Sequence, residues 1–380
     1  MELILKQYDI PLLRFSATND SSTPEIEVHW INEDQRHLLP LDMELSPEGI
    51  SRWMRRRTIP RNRAYVNRLL AKCGLNANRP MGILALCKGL SVDDSYWVVE
   101  EGFEGTFEKY NLFENRFSEV LALIAFTGYG SSNRSSLASS PEFTTNGMLP
   151  KCWRRISGKV TLYKGGTDGG YNTGAEPYCE YYAAQVAAAM GIDAIPYGLS
   201  QWKGRLCSTC ELFTDIDHAY MPIGNLVQRG GFDAVAAYYE NLGEPFQKAF
   251  RDMLVFDAVI CNTDRHYGNF GFMIDNKTNT IAAPAPLFDH GNSLFNQAGP
   301  EDYESPEAFQ QYIDTLVPCV YDDFFATAKR FMADENREQL RKLLGFRFKR
   351  HVRYNLPPKR LKLMEEQVRK RAMRLLENKD

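Results

Sequence analysis

The chain has 380 residues, with 48 Asp or Glu against 45 Lys or Arg, a formal net charge of −3 and 44% hydrophobic residues. That size allows two or three domains and a substantial core, and the composition is ordinary for a soluble globular protein. No apolar run approaches the ~18 residues that cross a bilayer, and Met1–Phe15 lacks the basic start and small-residue cleavage site of a signal peptide. A cytoplasmic protein with no membrane partner is expected.

Residues 1–115 read as a small accessory domain. Ser46, Pro47 and Glu48 open a helix with an apolar stripe of Ile50, Trp53 and Met54; a second helix after Pro60 carries Tyr65, Val66, Leu69 and Leu70 and stops at Gly74. Arg55, Arg56, Arg57, Arg61 and Arg63 lie between them. Two short helices with that many arginines have the form of a helix-turn-helix DNA reader. The favoured reading is a docking module whose arginines face water or an acidic partner, because no second basic layer is near. Residues 127–147 follow, with six serines between Ser131 and Ser140. They read as a surface loop and as candidate phosphorylation sites.

Lys151–Ile156 and Lys159–Lys164 are predicted strands joined by Ser157-Gly158, with Val160, Leu162 and Lys164 on one face. Upstream, Thr144–Gly147 is a glycine-bearing loop of the kind whose backbone amides lie against phosphates. Lys164, at a strand end, can reach nucleotide phosphates as a point charge. Beyond a glycine-rich connection, Glu180–Met190 is a predicted helix with Glu180 in its first turn. Two readings of Glu180 stand level: an ion pair that holds Lys164, or ordinary complementing of the helix dipole. Ile192–Gly198 and Leu206–Thr214 read as strands, with Leu212 and Phe213 flooring an apolar slot and Glu211–Phe213 offering backbone groups to an adenine edge. Cys207 and Cys210 have half the spacing of a zinc knuckle, without a matching second pair.

From Asn225 onward the pattern turns mainly helical: Asp233–Asn241, Pro245–Ile260, Pro306–Leu316 and Asp322–Met332. The helix from Pro245 is apolar on most of its surface and should be central. It ends at Asn262-Thr263, so Asp264 emerges from a rigid element, where a catalytic acid is best held. His266 and Asn269 follow, then an apolar segment Phe270–Ile274 and a polar turn Asp275–Thr280, a hairpin that folds Asp289 back toward Asp264. A carboxylate that accepts a hydroxyl proton, with an amide oxygen and a second carboxylate that share a metal ion, are the parts of a phosphoryl-transfer centre. A competing reading makes Asp264, His266, Asp289 and His290 ligands of a metal-dependent phosphohydrolase, which leaves Lys164 and Glu180 without a role. From Arg341 on, fourteen Lys or Arg stand against four acids. This tail either attracts an acidic partner or nucleic acid, or is a solvated helix packed through Leu361, Met364, Val368, Met373 and Leu376; the second reading is favoured.

With these residues in this order, the sequence resembles the HipA-like serine/threonine kinases, bacterial and phage proteins whose founding members are toxins of toxin–antitoxin pairs. Asn262, Thr263, Asp264, His266, Asn269 and Phe270 match the family's catalytic loop, and Ala285, Pro286, Leu287, Phe288 and Asp289 its metal-binding segment. Glu180–Ile192 matches its lobe-bridging helix, Glu211 and Phe213 its hinge, and Gly147–Lys151 lies where its phosphate loop falls. The resemblance implies an α+β, two-lobed protein-kinase-like fold: a β-rich N-lobe over 116–218 and a mainly α-helical C-lobe over 219–380, after the small N-terminal domain of 1–115. It implies ATP and Mg2+ as cofactors, Asp264 as catalytic base, Asn269 and Asp289 as metal ligands, and Lys164 on the nucleotide with Glu180 as its partner. Gly147, Glu211, Phe213 and His266 would border the nucleotide, His266 holding the loop by hydrogen bonds.

The resemblance also implies a protein substrate, autophosphorylation near Thr144 with Ser135, Ser136, Ser139 and Ser140 as competitors, and an antitoxin or DNA-binding partner protein rather than direct DNA binding. The phosphate loop departs from the family pattern in its few glycines and in Pro150, and residues 1–115 do not show the family's N-terminal pattern. The same fold would also suit a catalytically silent nucleotide-binding regulator, against which the set of Asp264, Asn269 and Asp289 weighs.

Overall fold

The computed structural model describes residues 1–18, 23–130, 140–169 and 174–377. It divides into two units, one of Met1–Lys164, Glu211–Met221 and Met273–Ala282, the other of Gly165–Cys210, Pro222–Phe272 and Ala283–Asp380.

The first unit opens with a sheet that the sequence reading missed. Strands Glu2–Gln7, Ile10–Ala17, Ile26–Ile31 and Tyr96–Glu100 are antiparallel, with Glu2–Gln7 between Ile10–Ala17 and Tyr96–Glu100. Strand alternation sends Leu3, Leu5, Leu13 and Phe15 into one core with Ile50, Trp53 and Met54 of the Pro47–Arg56 helix. Trp97 and Val99 enter a second core with Phe107, Leu112, Trp153 and Val160. The helix starts where its sequence signals put it: Pro47 occupies the first turn and Ser46 Oγ accepts from Gly49 N at 3.1 Å. The second helix, Val66–Lys72, stops before Gly74 (φ 71°), and a third, Pro80–Cys87, was not foreseen.

Two of the five arginines are buried, and a third is half-buried in an ion pair. Arg57 donates to both carboxylate oxygens of Asp94 (2.7 and 2.8 Å) and to the carbonyls of Gly89 and Tyr96. Arg63 and Glu142 form a fully buried pair at 2.8 Å, and Arg63 also donates to the carbonyls of Thr145 and Lys151. Arg56 pairs with Asp42 at 2.9 Å. Three of the five are therefore spent on scaffolding, which removes the basic face that a DNA-reading helix pair needs.

Beside the Arg57 pair, burial and then Asp94 push the Asp93 carboxyl up to about 6. An unfolded Asp releases its proton near ~3.9, so between those values the folded state binds more protons and its stability falls as pH rises. Asp93→Asn keeps an acceptor for the Ser91 hydroxyl, which donates to Asp93 Oδ2 at 3.1 Å. Thermal melts on either side of that window are expected to show a flatter pH dependence for the variant and a higher Tm than wild type above it.

Lys151–Ile156 and Lys159–Gly165 pair antiparallel as predicted, through Ser157 (φ 49°) and Gly158 (φ 85°), the two positive values that a type I′ hairpin turn requires. The ladder sets Lys151 directly opposite Lys164. The expected hairpin after the Asp264 loop is also present, as Gly271–Asp275 and Thr280–Pro284, and Gly271–Asp275 pairs on its other side with His218–Pro222.

The second unit is built around the helix Phe246–Ile260, buried without a gap from Asp252 to Ile260. Helices Gly231–Leu242, Phe324–Phe331, Asp334–Arg341, Pro358–Leu376 and Glu176–Met190 pack on it. Two expectations are corrected. Residues 192–197 are not a strand: the strand is Gly198–Trp202, paired with Arg205–Glu211, while Ala194 makes a single parallel bridge with Leu287. On the C-terminal helix Leu361, Met364 and Val368 are buried as predicted, but the stripe continues through Arg371 and Leu375 rather than Met373 and Leu376, and Met373 is 46% exposed. The helical period, followed strictly, runs through an arginine that a reading of apolar residues skips.

Candidate active site

The central helix closes at Cys261, whose left-handed conformation (φ 55°) turns the chain out of the helix while its N–H bonds Asp257 O. The loop that follows is organised on Arg265, itself 1% exposed. Its Nε and Nη2 reach the two carboxylate oxygens of Asp257, one helical turn back from the helix end, at 2.9 and 3.0 Å. Burial opposes the charge on Arg265, but Asp257 outweighs it and holds the guanidinium above its ordinary pKa. The remaining donors face the site. Nη1 donates to Asn269 O (3.1 Å) and Phe288 O (2.6 Å), and Nη2 meets His290 Nδ1 at 3.0 Å. One buried cation thus ties the end of the Asp264 loop to the residues on both sides of Asp289.

Asp264 is fixed from three directions. Its N–H bonds Asn262 Oδ1 (3.1 Å), its carbonyl accepts from Asn269 Nδ2 (3.1 Å), and its Oδ2 accepts from Asn292 Nδ2 (2.8 Å). The bond from Asn269 Nδ2 sets that amide so that Oδ1 is its acceptor end. Asn292 is itself held: Asn296 donates to its Oδ1 at 2.9 Å, and Thr263 donates to its carbonyl through N and Oγ1. His266 is exposed, and its Nδ1 accepts from Gly268 N at 3.0 Å.

Asp289 is positioned from the other side. Leu287 N bonds Asp193 O and Ile195 N bonds Leu287 O (3.0 and 2.8 Å), which pins the segment that the sequence reading took for a strand. Asp289 has φ 56°, and its N–H donates to the Tyr197 hydroxyl at 3.1 Å. Burial, and next the neighbouring Glu180, hold that hydroxyl protonated, well above the usual tyrosine range. Leu294 and Phe295 also take left-handed backbone (φ 47° and 63°), bulky residues in a conformation seldom found outside sites where surrounding contacts enforce it. Glu180 is fully buried, and its Oε2 accepts from His290 N at 3.1 Å. Its helix starts at Glu176, four residues earlier than predicted, so Glu180 is past the first turn and the helix-dipole reading is set aside. Glu176 takes the first-turn position instead.

Glu180, Asp264, His266, Asn269 and Asp289 therefore belong to one unit; Asp264, His266 and Asn269 are bonded to one another, and Arg265 links them to Phe288 and His290 on either side of Asp289 and, through His290, to Glu180. Gly147, Lys164, Glu211 and Phe213 belong to the other unit. There Lys164 is buried, and Gly147 (φ 90°) lies so close under Lys151 Nζ that a side chain would collide with it. Lys151 Nζ donates to Asn146 O at 2.9 Å. The Glu211 side chain pairs with Lys159 (2.7 Å) and Leu212 N is taken by Val160 O, while Phe213 meets Tyr220 edge-on at 5.5 Å.

Of the hydroxyls considered for phosphorylation, Thr144 is buried and donates to Leu90 O (2.9 Å), and Ser140 is buried and caps Glu142 N. Either would have to leave its packing to accept phosphate. Ser131, Ser132, Ser135, Ser136 and Ser139 lie outside the described residues. The phosphohydrolase ligand set also fares poorly. His290 Nδ1 is engaged by Arg265 and His266 Nδ1 by Gly268, and among the described residues no three His, Cys, Asp or Glu gather as for a metal ion.

No model of a known family matches the chain. A curated relative, the serine/threonine-protein kinase CtkA of Helicobacter pylori, is 27% identical over 135 residues, which is 32% of this chain and 41% of the relative. The crystal structure of the H. pylori CtkA kinase aligns at TM-score 0.46 with 17% identity, over 60% of this chain and 91% of that one. HipA of Shewanella oneidensis, solved with HipB and operator DNA, aligns at TM-score 0.53 with 13% identity, over 98% of this chain and 97% of its own. The chain has the HipA-like kinase fold.

The α+β, two-lobed kinase-like class expected from the sequence is thus the observed one. Three residues that hold the site in place were missed. Asp257 left a readable signal, the one acid in the apolar run Met253–Ile260, eight residues before Arg265. Asn292 and Tyr197 left none, since their roles exist only through contacts 28 and 92 residues away along the chain.

Proposed function

We propose that this chain is an ATP- and Mg2+-dependent serine/threonine protein kinase of the HipA-like kind. It would transfer the γ-phosphate to a protein hydroxyl, its own among them, and work with an antitoxin-type partner that supplies the DNA contact. The observation that carries this reading is the cluster on Arg265, which brings Asp264, Asn269 and the Asp289 segment to one place in the second unit.

Asp264 is the catalytic base. Asn292 holds one carboxylate oxygen, so the other is oriented to take the proton of an attacking hydroxyl. Asn269 Oδ1 and the Asp289 carboxylate suit Mg2+, a hard cation commonly bound through one or two protein oxygens together with substrate phosphates. When bound, the ion neutralises phosphate charge. Lys164, supported by Glu180, holds the nucleotide phosphates, with Gly147 in the loop beside them and the backbone near Glu211 and Phe213 at the adenine. The internal use of Arg57 and Arg63, and the HipB and operator DNA found with S. oneidensis HipA, support DNA contact through a partner rather than directly.

Incubation with γ-labelled ATP and Mg2+, followed by phosphosite mapping, tests the reading: label on serine or threonine is expected, and neither label nor nucleotide binding would remove catalysis. Asn292→Ala should lower kcat by about tenfold with little change in KM for ATP, because it frees the Asp264 carboxylate to rotate and touches no nucleotide residue.

A further inference from the structure

The C-terminal helix Pro358–Leu376 carries a feature that the kinase reading does not use. Arg371 lies in its buried stripe at 6% exposure. Its Nε donates to Ala258 O (2.6 Å), and the rings of Phe325 and Phe324 lie 4.6 and 5.5 Å from the guanidinium. Among the described residues, its buried Nη2 has no hydrogen-bond partner and the side chain makes no ion pair. A buried cation without a counter-anion is costly, and burial accordingly lowers its pKa.

Arg371 lines a cavity of about 220 Å³, together with Lys370, Arg374, Gln367, Phe324 and Phe325. Arg374 stacks on Phe325 at 3.9 Å, so two guanidinium groups share one ring. Asp314 and Asp323 are also at its wall, bonded by Gln310 Nε2 (2.8 Å) and by Ala326 N (2.6 Å) at a helix start; both keep their charge, and Asp323 partly opposes the effect of burial on Arg371. The space exceeds one water and falls below the ~300 Å³ where pockets for larger ligands begin.

We propose that this cavity is an anion site for a phosphate monoester group, with Arg371 as its buried cation and Lys370 and Arg374 as its outer pair. Lys370, Arg371 and Arg374 outnumber Asp314 and Asp323, so the lining stays net positive, and the flat guanidinium fork matches phosphate oxygens. Inorganic phosphate and a phosphorylated side chain present the same chemistry.

Calorimetric titration of the full chain with inorganic phosphate, with O-phosphoserine and with serine tests this and needs no kinase activity. Saturable binding of the two phosphates and not of serine is expected; tighter binding of phosphoserine assigns a side-chain source, and equal binding a free ion. Arg374→Ala and Lys370→Ala, on the exposed edge, should each weaken binding about tenfold, and Arg371→Met should abolish it, with circular dichroism to verify folding. Absence of binding in the wild type overturns the proposal. So does binding that persists unchanged when Lys370 and Arg374 are both replaced, since the anion then sits elsewhere.

Discussion

Asp264→Asn is expected to reduce kcat for protein phosphorylation by about 10²- to 10⁴-fold while leaving the affinity for ATP within a factor of a few. The substitution retains shape and the ability to accept from Asn292 Nδ2, now through the amide oxygen, so the loop has no reason to rearrange. What is lost is the charge and basicity that the proposed role as base requires. Single-turnover transfer from labelled ATP, beside a nucleotide-binding titration, separates the two effects. An equal loss of nucleotide binding would show that Asp264 acts in holding ATP, and an unchanged rate would remove it from the reaction.

Arg265→Met is expected to cost about 3–5 kcal/mol of stability, because Asp257 is left buried and charged with only Asn262 beside it. The same change releases the carbonyls of Asn269 and Phe288, so activity should fall beyond the loss of folded protein. Replacing both partners, Arg265→Met with Asp257→Leu, should recover much of the stability, since no lone charge remains, but little of the activity, since the tie to the Asp289 segment is still gone. Chemical denaturation of the four proteins of this cycle measures the first effect and transfer assays the second. If the double variant recovers activity as well, Arg265 serves folding alone.

Local features were legible where the chain carries its own signals. Ser46-Pro47 fixed a helix start, Ser157-Gly158 a hairpin turn, and the long apolar run before Cys261 a central helix. The reading failed where residues of mixed character are buried on only part of their surface. Edge strand Ile26–Ile31, with exposed Glu27 and Trp30, does not look like a strand in isolation, and Arg371 does not look like a core residue. The arginines of residues 55–63 misled for a related reason. A charge that pairs inside and a charge that faces water are the same letter in a sequence, and Asp94 and Glu142, which separate the two cases, lie 37 and 79 residues away.

What the sequence determined by itself was which groups are candidates for the chemistry. Asp264, Asn269 and Asp289 carry their chemistry in their side chains, and their short spacing constrains where they can lie. The tertiary structure alone decided how those groups are aimed. The buried Arg265–Asp257 pair, the Asn292 amide on Asp264 and the left-handed backbone at Asp289 arise only when distant segments press on one another. Strained dihedrals and buried charges are unfavourable in any local stretch, and they persist because packing from elsewhere in the chain leaves no cheaper arrangement.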